Sequence, residues 1–141
     1  MKAGAQDQRW WSLEVCRLAP EKHLAVVIED DDTVREMMCE LLESAGFRVA
    51  GCRNGEDGIM AARELRPSVV TLDLHMPGID GVEVLRRLNS DESTADLPVV
   101  VVSAYSYDRR LGCWSQVKAV LSKPFDLDDL CAKVRAAAGM D

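Results

Sequence analysis

The stretch V-V-T-L-D-L-H-M-P-G-I-D-G at residues 69–81 decides the fold class. Its first four residues form a short apolar run that ends abruptly on an acid, Asp73. A run of this length and character is typical of a strand that is buried on both faces of a parallel sheet. A Pro-Gly turn follows, and apolar residues then recur at helical spacing. The segment therefore reads as strand, loop and helix in succession.

The same alternation extends over most of the chain. Five apolar runs are predicted as strands, at residues 24–28, 47–52, 69–72, 99–102 and 117–121. Amphipathic helical patterns follow the first, second, third and fifth runs, whereas residues 105–114 are polar and only weakly helical. Thr33 with Glu36 could cap the first helix, with Asp32 as a competing cap, and Asp126 is the predicted N-cap of the last. This order predicts an α/β fold in which helices cover both faces of a parallel sheet.

Length and composition limit the class of protein further. The 141 residues suit one domain, which we place at residues 23–141, preceded by an extension at residues 1–22 of uncertain structure that contains Trp10 and Trp11. The net charge of −7 argues against a nucleic-acid partner. No apolar run could span a bilayer or serve as a secretory signal, so we expect a cytoplasmic protein without membrane contacts.

The five cysteines do not indicate a zinc site or a disulfide framework. Their number is odd, their spacing is wide, and none forms a C-x-x-C pair. Cys39 and Cys131 fall within helical patterns, where a free cysteine behaves as a small apolar residue. We interpret both as packing residues.

Polar residues follow four of the predicted strands. These residues are Glu29 and Asp30 after the first strand, Asp73 after the third, Ser103 after the fourth and Lys123 after the fifth. Ligands of open parallel sheets bind beyond the carboxyl ends of the strands, so these side chains are expected to share one crevice. Part of the acidic run at residues 29–32 could instead simply cap a helix. Together with Asp73, however, clustered carboxylates favour Mg²⁺, and the added lysine and hydroxyl suit phosphoryl transfer.

At this point a family resemblance is evident. The segments V-V-I-E-D-D-D-T-V-R, V-V-T-L-D-L-H-M-P-G-I-D-G, V-V-V-V-S-A and L-S-K-P-F resemble the receiver domain of two-component response regulators, over residues 24–138. The resemblance implies a flavodoxin-like (βα)5 fold with strand order 2-1-3-4-5. It also implies a module that is not a turnover enzyme and that receives its phosphoryl group from a histidine kinase or phosphotransfer protein, signalling to a further, unidentified protein.

The resemblance also implies a role for each site residue. Asp73 is expected to be the phosphoacceptor. Asp30 and Asp73 are expected to bind Mg²⁺, Glu29 to act through water, and His75 to contribute its backbone carbonyl. Two further residues are expected to contact phosphoryl oxygens, Ser103 by a hydrogen bond and Lys123 by its charge, with a cis bond from Lys123 to the next residue, a proline.

Two features of the sequence complicate this interpretation. Many receiver domains place an aromatic switch residue where this chain has Val120, so we expect the readout to rely on Ser103 and on the segment around Tyr105. In addition, residues 30–34 match the D-x-D-x-V loop of haloacid-dehalogenase-like phosphatases, which would make Asp30 the nucleophile of an enzyme. That alternative leaves Asp73 and the loop after it unexplained.

Overall fold

The computed structural model describes residues 23–104 and 114–140, and within them it contains a five-stranded parallel sheet. The strands lie in the order β2-β1-β3-β4-β5. Their bounds are Leu24–Ile28 (β1), Arg48–Cys52 (β2), Val69–Leu72 (β3), Val99–Ser103 (β4) and Val117–Ser122 (β5). The predicted strands and the implied strand order are therefore confirmed, with ends shifted by at most one residue. The predicted extension, with Trp10 and Trp11, and the segment around Tyr105 lie outside the described residues.

Four helices connect or follow these strands in the described part of the chain. Their bounds are Asp32–Ser44 (α1), Gly55–Leu65 (α2), Gly81–Ser90 (α3) and Leu127–Ala137 (α4). After α1, Gly46 adopts a φ of +105°, a left-handed conformation that glycine tolerates without steric cost. The predicted N-cap of the last helix is confirmed, since the Asp126 side chain accepts a hydrogen bond from the Asp129 N–H at 2.9 Å.

The sheet is buried on both faces because its strands alternate between two apolar clusters. On one face, Val26, Val70 and Val101 pack against α2 and α3. On the other face the neighbouring strand positions pack against Met38 and Leu42 of α1 and against two residues of α4. Strands that are covered on both faces are apolar at nearly every position, with Thr71 of β3 as a buried exception, which explains the nearly continuous apolar runs in the sequence.

The outer strand β5 departs from this regular pairing. Val99 pairs with Val117, but Val100 pairs with Ala119, so one residue of β5 is skipped between them. A bulge of this kind reverses the faces that the following residues present. Val117 accordingly packs with the α2 and α3 cluster, whereas Ala119 packs with the α1 and α4 cluster. Val120 is 41% exposed, so its side chain does not belong to either core.

Candidate functional site

The ends of β1 and β3 bring three carboxylates together. Glu29 and Asp30 follow β1 directly, and Asp73 follows β3, which is the neighbour of β1 in the sheet. One oxygen from each of the three side chains lies within 4.8 Å of the others. Glu29 and Asp73 are buried, and Asp30 is half-buried. The carboxylates that the sequence placed in one crevice therefore do lie together.

Lys123 reaches this acidic cluster from the end of β5. Its Nζ atom lies 2.7 Å from Glu29 Oε1 and 3.3 Å from Asp73 Oδ2. The backbone also holds it in place, because its N–H donates to the carbonyl of Ser103 at 3.0 Å, and the bond to Pro124 is cis as expected. Ser103 is fully buried at the end of β4, beside β5. The lysine thus lies between two of the three carboxylates.

In this crevice the carboxylates of Glu29 and Asp73 repel each other, and the ammonium of Lys123 attracts both. Burial raises the pKa of the Glu29 carboxyl, and the nearby charge of Asp73 adds to the effect, although the bonds to Lys123 and to the Asp31 N–H act in the other direction. Burial disfavours the charge on Lys123, but its bond and attraction to Glu29, and then to Asp73, raise its pKa overall. One ammonium therefore does not fully offset the cost of burying the Glu29 carboxylate, and a second cation would stabilise its charged form.

The donor atoms in the crevice fit a small, hard cation. All three side chains offer carboxylate oxygens, the ligands that Mg²⁺ prefers, and the half-exposed position of Asp30 leaves room for the waters that Mg²⁺ retains. His75 is exposed, and its N–H donates to Asp73 Oδ1 at 3.2 Å. The backbone of His75 therefore adjoins the acidic cluster, while metal binding through its carbonyl stays a prediction.

The remaining acids of the run at residues 29–32 do not join the cluster. Asp31 is the N-cap of α1, and its side chain accepts from the Val34 N–H at 3.1 Å. The expected capping box of Thr33 and Glu36, with Asp32 as the competing cap, is therefore wrong. Helix α1 begins at Asp32, two residues earlier than a Thr33 cap would allow, because the Asp31 side chain already accepts a hydrogen bond from a backbone N–H of the first turn. Asp32 instead pairs with Arg35 on the first turn.

We expect Asp31→Ala to lower the free energy of unfolding by about 1 kcal/mol, because the variant loses the cap of α1. Urea denaturation without metal measures the change, and Asp126→Ala, which removes the cap of α4, is the matched control with a similar loss. Magnesium affinity should stay within about twofold of the original in the Asp31 variant, given the loss of one exposed charge. A large loss of affinity would instead place Asp31 in the metal site.

Arg35 is a residue of this site that the sequence interpretation missed. Its Nη1 atom donates to the backbone carbonyl of Glu29 at 3.0 Å, while Nη2 pairs with Asp32. The available signal was the three-residue spacing from Asp32 to Arg35, which places both on one side of a helix. That spacing predicts the surface pair, but it does not predict the bond back to the end of β1.

An open parallel sheet in this order, with carboxylates and a lysine at its carboxyl edge, is the arrangement that the resemblance to receiver domains implies. The family model of the response regulator receiver domain matches residues 25–135. The chain therefore belongs to the response regulator receiver family, and it acts in phosphorylation-based two-component signalling. The alternative of a haloacid-dehalogenase-like phosphatase is not supported.

Curated relatives agree with this assignment. The chain is 37% identical over 113 residues to the DNA-binding dual master transcriptional regulator RpaA of Synechocystis sp., covering 79% of this chain and 47% of that protein. It is 40% identical over 121 residues to the transcriptional regulatory protein CseB of Streptomyces avermitilis, covering 84% of this chain and 50% of that protein. The chain thus spans about half the length of these relatives.

Solved structures show the same fold. The magnesium–beryllofluoride complex of the response regulator TrrA from Thermotoga maritima has a TM-score of 0.73 at 28% identity, covering 82% of this chain and 98% of that one. The receiver domain of sensor histidine kinase PA1611 from Pseudomonas aeruginosa, with a magnesium ion in its active-site cleft, has a TM-score of 0.75 at 20% identity and covers 84% and 98%.

The relatives correct one expectation from the sequence. We expected no nucleic-acid partner on the basis of the net charge, but RpaA, and MtrA of Mycolicibacterium smegmatis, are named as DNA-binding. The expectation is wrong because the acidity of this chain describes only its own surface, whereas the relatives extend over about twice the matched length. Within residues 23–104 and 114–140, no helix is long and apolar enough to cross a membrane.

Proposed function

We propose that Asp73 is the phosphoacceptor of this receiver domain and that Mg²⁺ is its cofactor, held by Asp30, Asp73 and the backbone carbonyl of His75, with Glu29 acting through water. The observation that carries the proposal is the meeting of three carboxylates within 4.8 Å beside a lysine that contacts two of them. Bound Mg²⁺ would neutralise charge on the transferring phosphoryl group. The Mg²⁺ named in the TrrA complex supports this choice of cation.

The residues of the chain would then divide the chemistry between them. A carboxylate oxygen of Asp73 attacks phosphorus, and the bond from phosphorus to a histidine nitrogen of the donor breaks, with the electron pair leaving on that nitrogen. Lys123 contacts the Asp73 carboxylate in this structure, and it would pair instead with a phosphoryl oxygen once the phosphoryl group is attached. Ser103 hydrogen-bonds another phosphoryl oxygen at the end of β4. The product is an aspartyl phosphate.

The phosphoryl donor, the downstream output and the cellular location form part of the same proposal. The donor is a phosphohistidine on a sensor kinase or on a phosphotransfer protein, and the site works as an acceptor and not as a turnover enzyme. By analogy with the names of RpaA and MtrA, the downstream output includes binding to DNA. A cytoplasmic location stays a prediction.

Incubation with acetyl phosphate tests this function. We expect Mg²⁺-dependent addition of one phosphoryl group per chain, detected by intact mass, and no addition when EDTA is present. The amount of phosphoryl group incorporated should not exceed one per chain, because each acceptor carboxylate is consumed when it reacts. Sustained hydrolysis of a generic phosphate ester that is lost in Asp30→Asn but retained in Asp73→Asn would contradict the proposal, since it would make Asp30 the nucleophile of an enzyme.

A further inference from the structure

The side chain of Arg35 connects α1 to the end of β1. Its guanidinium donates from Nη1 to the Glu29 carbonyl at 3.0 Å, and its Nη2 lies 2.5 Å from Asp32 Oδ1. Only 17% of the Arg35 side chain is exposed, whereas Asp32 is 74% exposed. A surface ion pair alone would not require the arginine to be buried to this extent. The bond to the backbone of Glu29 is therefore the contact that accounts for the burial of the Arg35 side chain.

Strand β2 leaves the space through which Arg35 passes. A Cβ atom on Gly51 would lie 3.4 Å from both Cγ and Cδ of Arg35, and 3.0 Å from Cys39 Sγ. The first distance is at the tight limit of van der Waals contact, and the second is shorter than is usual for a Cβ. The arginine stem thus lies against β2 at Gly51 on its way to β1, and a side chain that extends beyond Cβ at this position would displace it.

The peptide group between Glu29 and Asp30 is held by this arrangement. The N–H of Glu29 donates to the Cys52 carbonyl at 3.0 Å, its carboxylate is held by Lys123, and its carbonyl accepts from Arg35. The Glu29 carbonyl and the Asp30 nitrogen share one rigid plane. A bond that fixes the direction of this carbonyl therefore also restricts the direction in which the Asp30 side chain leaves the backbone.

We propose that Arg35 is a positioning residue for the metal-binding carboxylates of Glu29 and Asp30, acting through the backbone and not through its charge. It also holds Asp32 at the surface, away from the cluster. The inference rests on the proposed function, because it requires the cation site. A residue that orients ligands in this way affects metal affinity without touching the metal.

The charge of Arg35 by itself would have the opposite effect. A cation near a metal site repels the metal, so removing an arginine that acts only through its charge should tighten Mg²⁺ binding. Removing an arginine that positions the ligands should weaken it. The sign of the change in affinity therefore distinguishes the two roles.

Calorimetric titration of Mg²⁺ into the purified chain measures this sign. We expect Arg35→Gln to weaken Mg²⁺ binding about tenfold, in the range found for other outer residues of metal sites. Arg35→Lys should bind with intermediate affinity, because one ammonium keeps the charge but cannot hold two partners in the planar geometry of a guanidinium. Arg86→Gln is the matched control: it removes the same charge from the exposed pair with Glu83 on α3 and should leave the affinity nearly unchanged.

A second variant changes the position of Arg35 but not its charge. In Gly51→Val the added Cγ atoms extend beyond a Cβ that already lies 3.4 Å from the arginine stem, so they displace the stem, and combining this change with Cys39→Ala removes the separate 3.0 Å contact with Cys39 Sγ. We expect the double variant to weaken Mg²⁺ binding in the same direction as Arg35→Gln. Far-UV circular dichroism confirms that each variant is folded, and if Arg35→Gln fails to fold, the Gly51 variants decide the question.

The outcomes separate this inference from the proposed function. If the original chain binds Mg²⁺ and Asp30→Asn does not, but Arg35→Gln or the folded Gly51 variants bind as tightly or more tightly, the positioning role of Arg35 is wrong and the metal site stands. If the original chain does not bind Mg²⁺, or Asp30→Asn binds it equally well, the proposed metal site itself is wrong and the inference fails with it.

Discussion

Replacing Asp30 by Asn is expected to weaken Mg²⁺ binding at least about tenfold, whereas the same change at Asp32 leaves it almost unaltered. Of these two residues, only Asp30 belongs to the cluster in which carboxylate oxygens of Glu29, Asp30 and Asp73 lie within 4.8 Å of one another. A unit charge about 4 Å from a cation contributes roughly 4 kcal/mol per cation charge at an effective dielectric of 20, and a tenfold change needs only about 1.4 kcal/mol. The partial exposure of Asp30 lowers the first figure but leaves the direction intact.

Titration of the Asp→Asn variants at positions 30, 31 and 32 measures the difference. All three lose the same formal charge, so Asp31→Asn and Asp32→Asn are matched controls for Asp30→Asn. Asparagine also keeps the N-cap of α1 at position 31, since it caps helices about as well as aspartate. Comparable losses in all three variants would mean that the net charge of the run, and not the position of Asp30, determines metal affinity.

Replacing Lys123 by Met is expected to slow phosphorylation by acetyl phosphate about 10²- to 10³-fold, as for the loss of one positioned donor in other active sites. The ammonium lies 2.7 Å from Glu29 and 3.3 Å from Asp73, at the place where phosphoryl charge would accumulate. Magnesium affinity should not fall, because the variant frees two carboxylates from a competing cation. The variant therefore separates the chemical step from metal binding.

Rates of phosphoryl incorporation at saturating Mg²⁺, followed by intact mass, measure the effect. Lys118→Met is the matched control on the same strand, because Lys118 is exposed and its ammonium donates to the Ser115 carbonyl at 3.0 Å. An unchanged rate in Lys123→Met would show that the lysine contributes only to the stability of the fold and not to phosphoryl transfer. A loss of Mg²⁺ affinity in that variant would instead indicate a displaced carboxylate cluster.

Most of the sheet could be predicted because its strands are buried on both faces. The apolar run at residues 24–28 has the same bounds as β1, and the acids that follow it mark where the strand ends. Once the sheet is parallel, Asp73 must emerge on the same edge as Glu29, which is why the acidic cluster followed from the sequence. Family resemblance supplied the strand order.

The details that the sequence did not predict depend on contacts between elements. The cap of α1 at Asp31 depends on where the backbone leaves the sheet, and three adjacent acids make that point ambiguous. The skipped residue between Val117 and Ala119 depends on pairing with β4, which no local pattern in β5 reveals. The bond from Arg35 to the Glu29 carbonyl needs the space over Gly51, a contact between three elements.

Chemical trapping of the phosphorylated residue tests the central claim most directly. An acyl phosphate is reduced by borohydride, so an aspartyl phosphate becomes homoserine, which peptide mass spectrometry can assign to a position. After treatment with acetyl phosphate and Mg²⁺, we predict homoserine at position 73 alone and no incorporation in Asp73→Asn. A homoserine signal at position 30 or 31, or a phosphate retained on Ser103, would contradict the assignment of Asp73 as the phosphoacceptor.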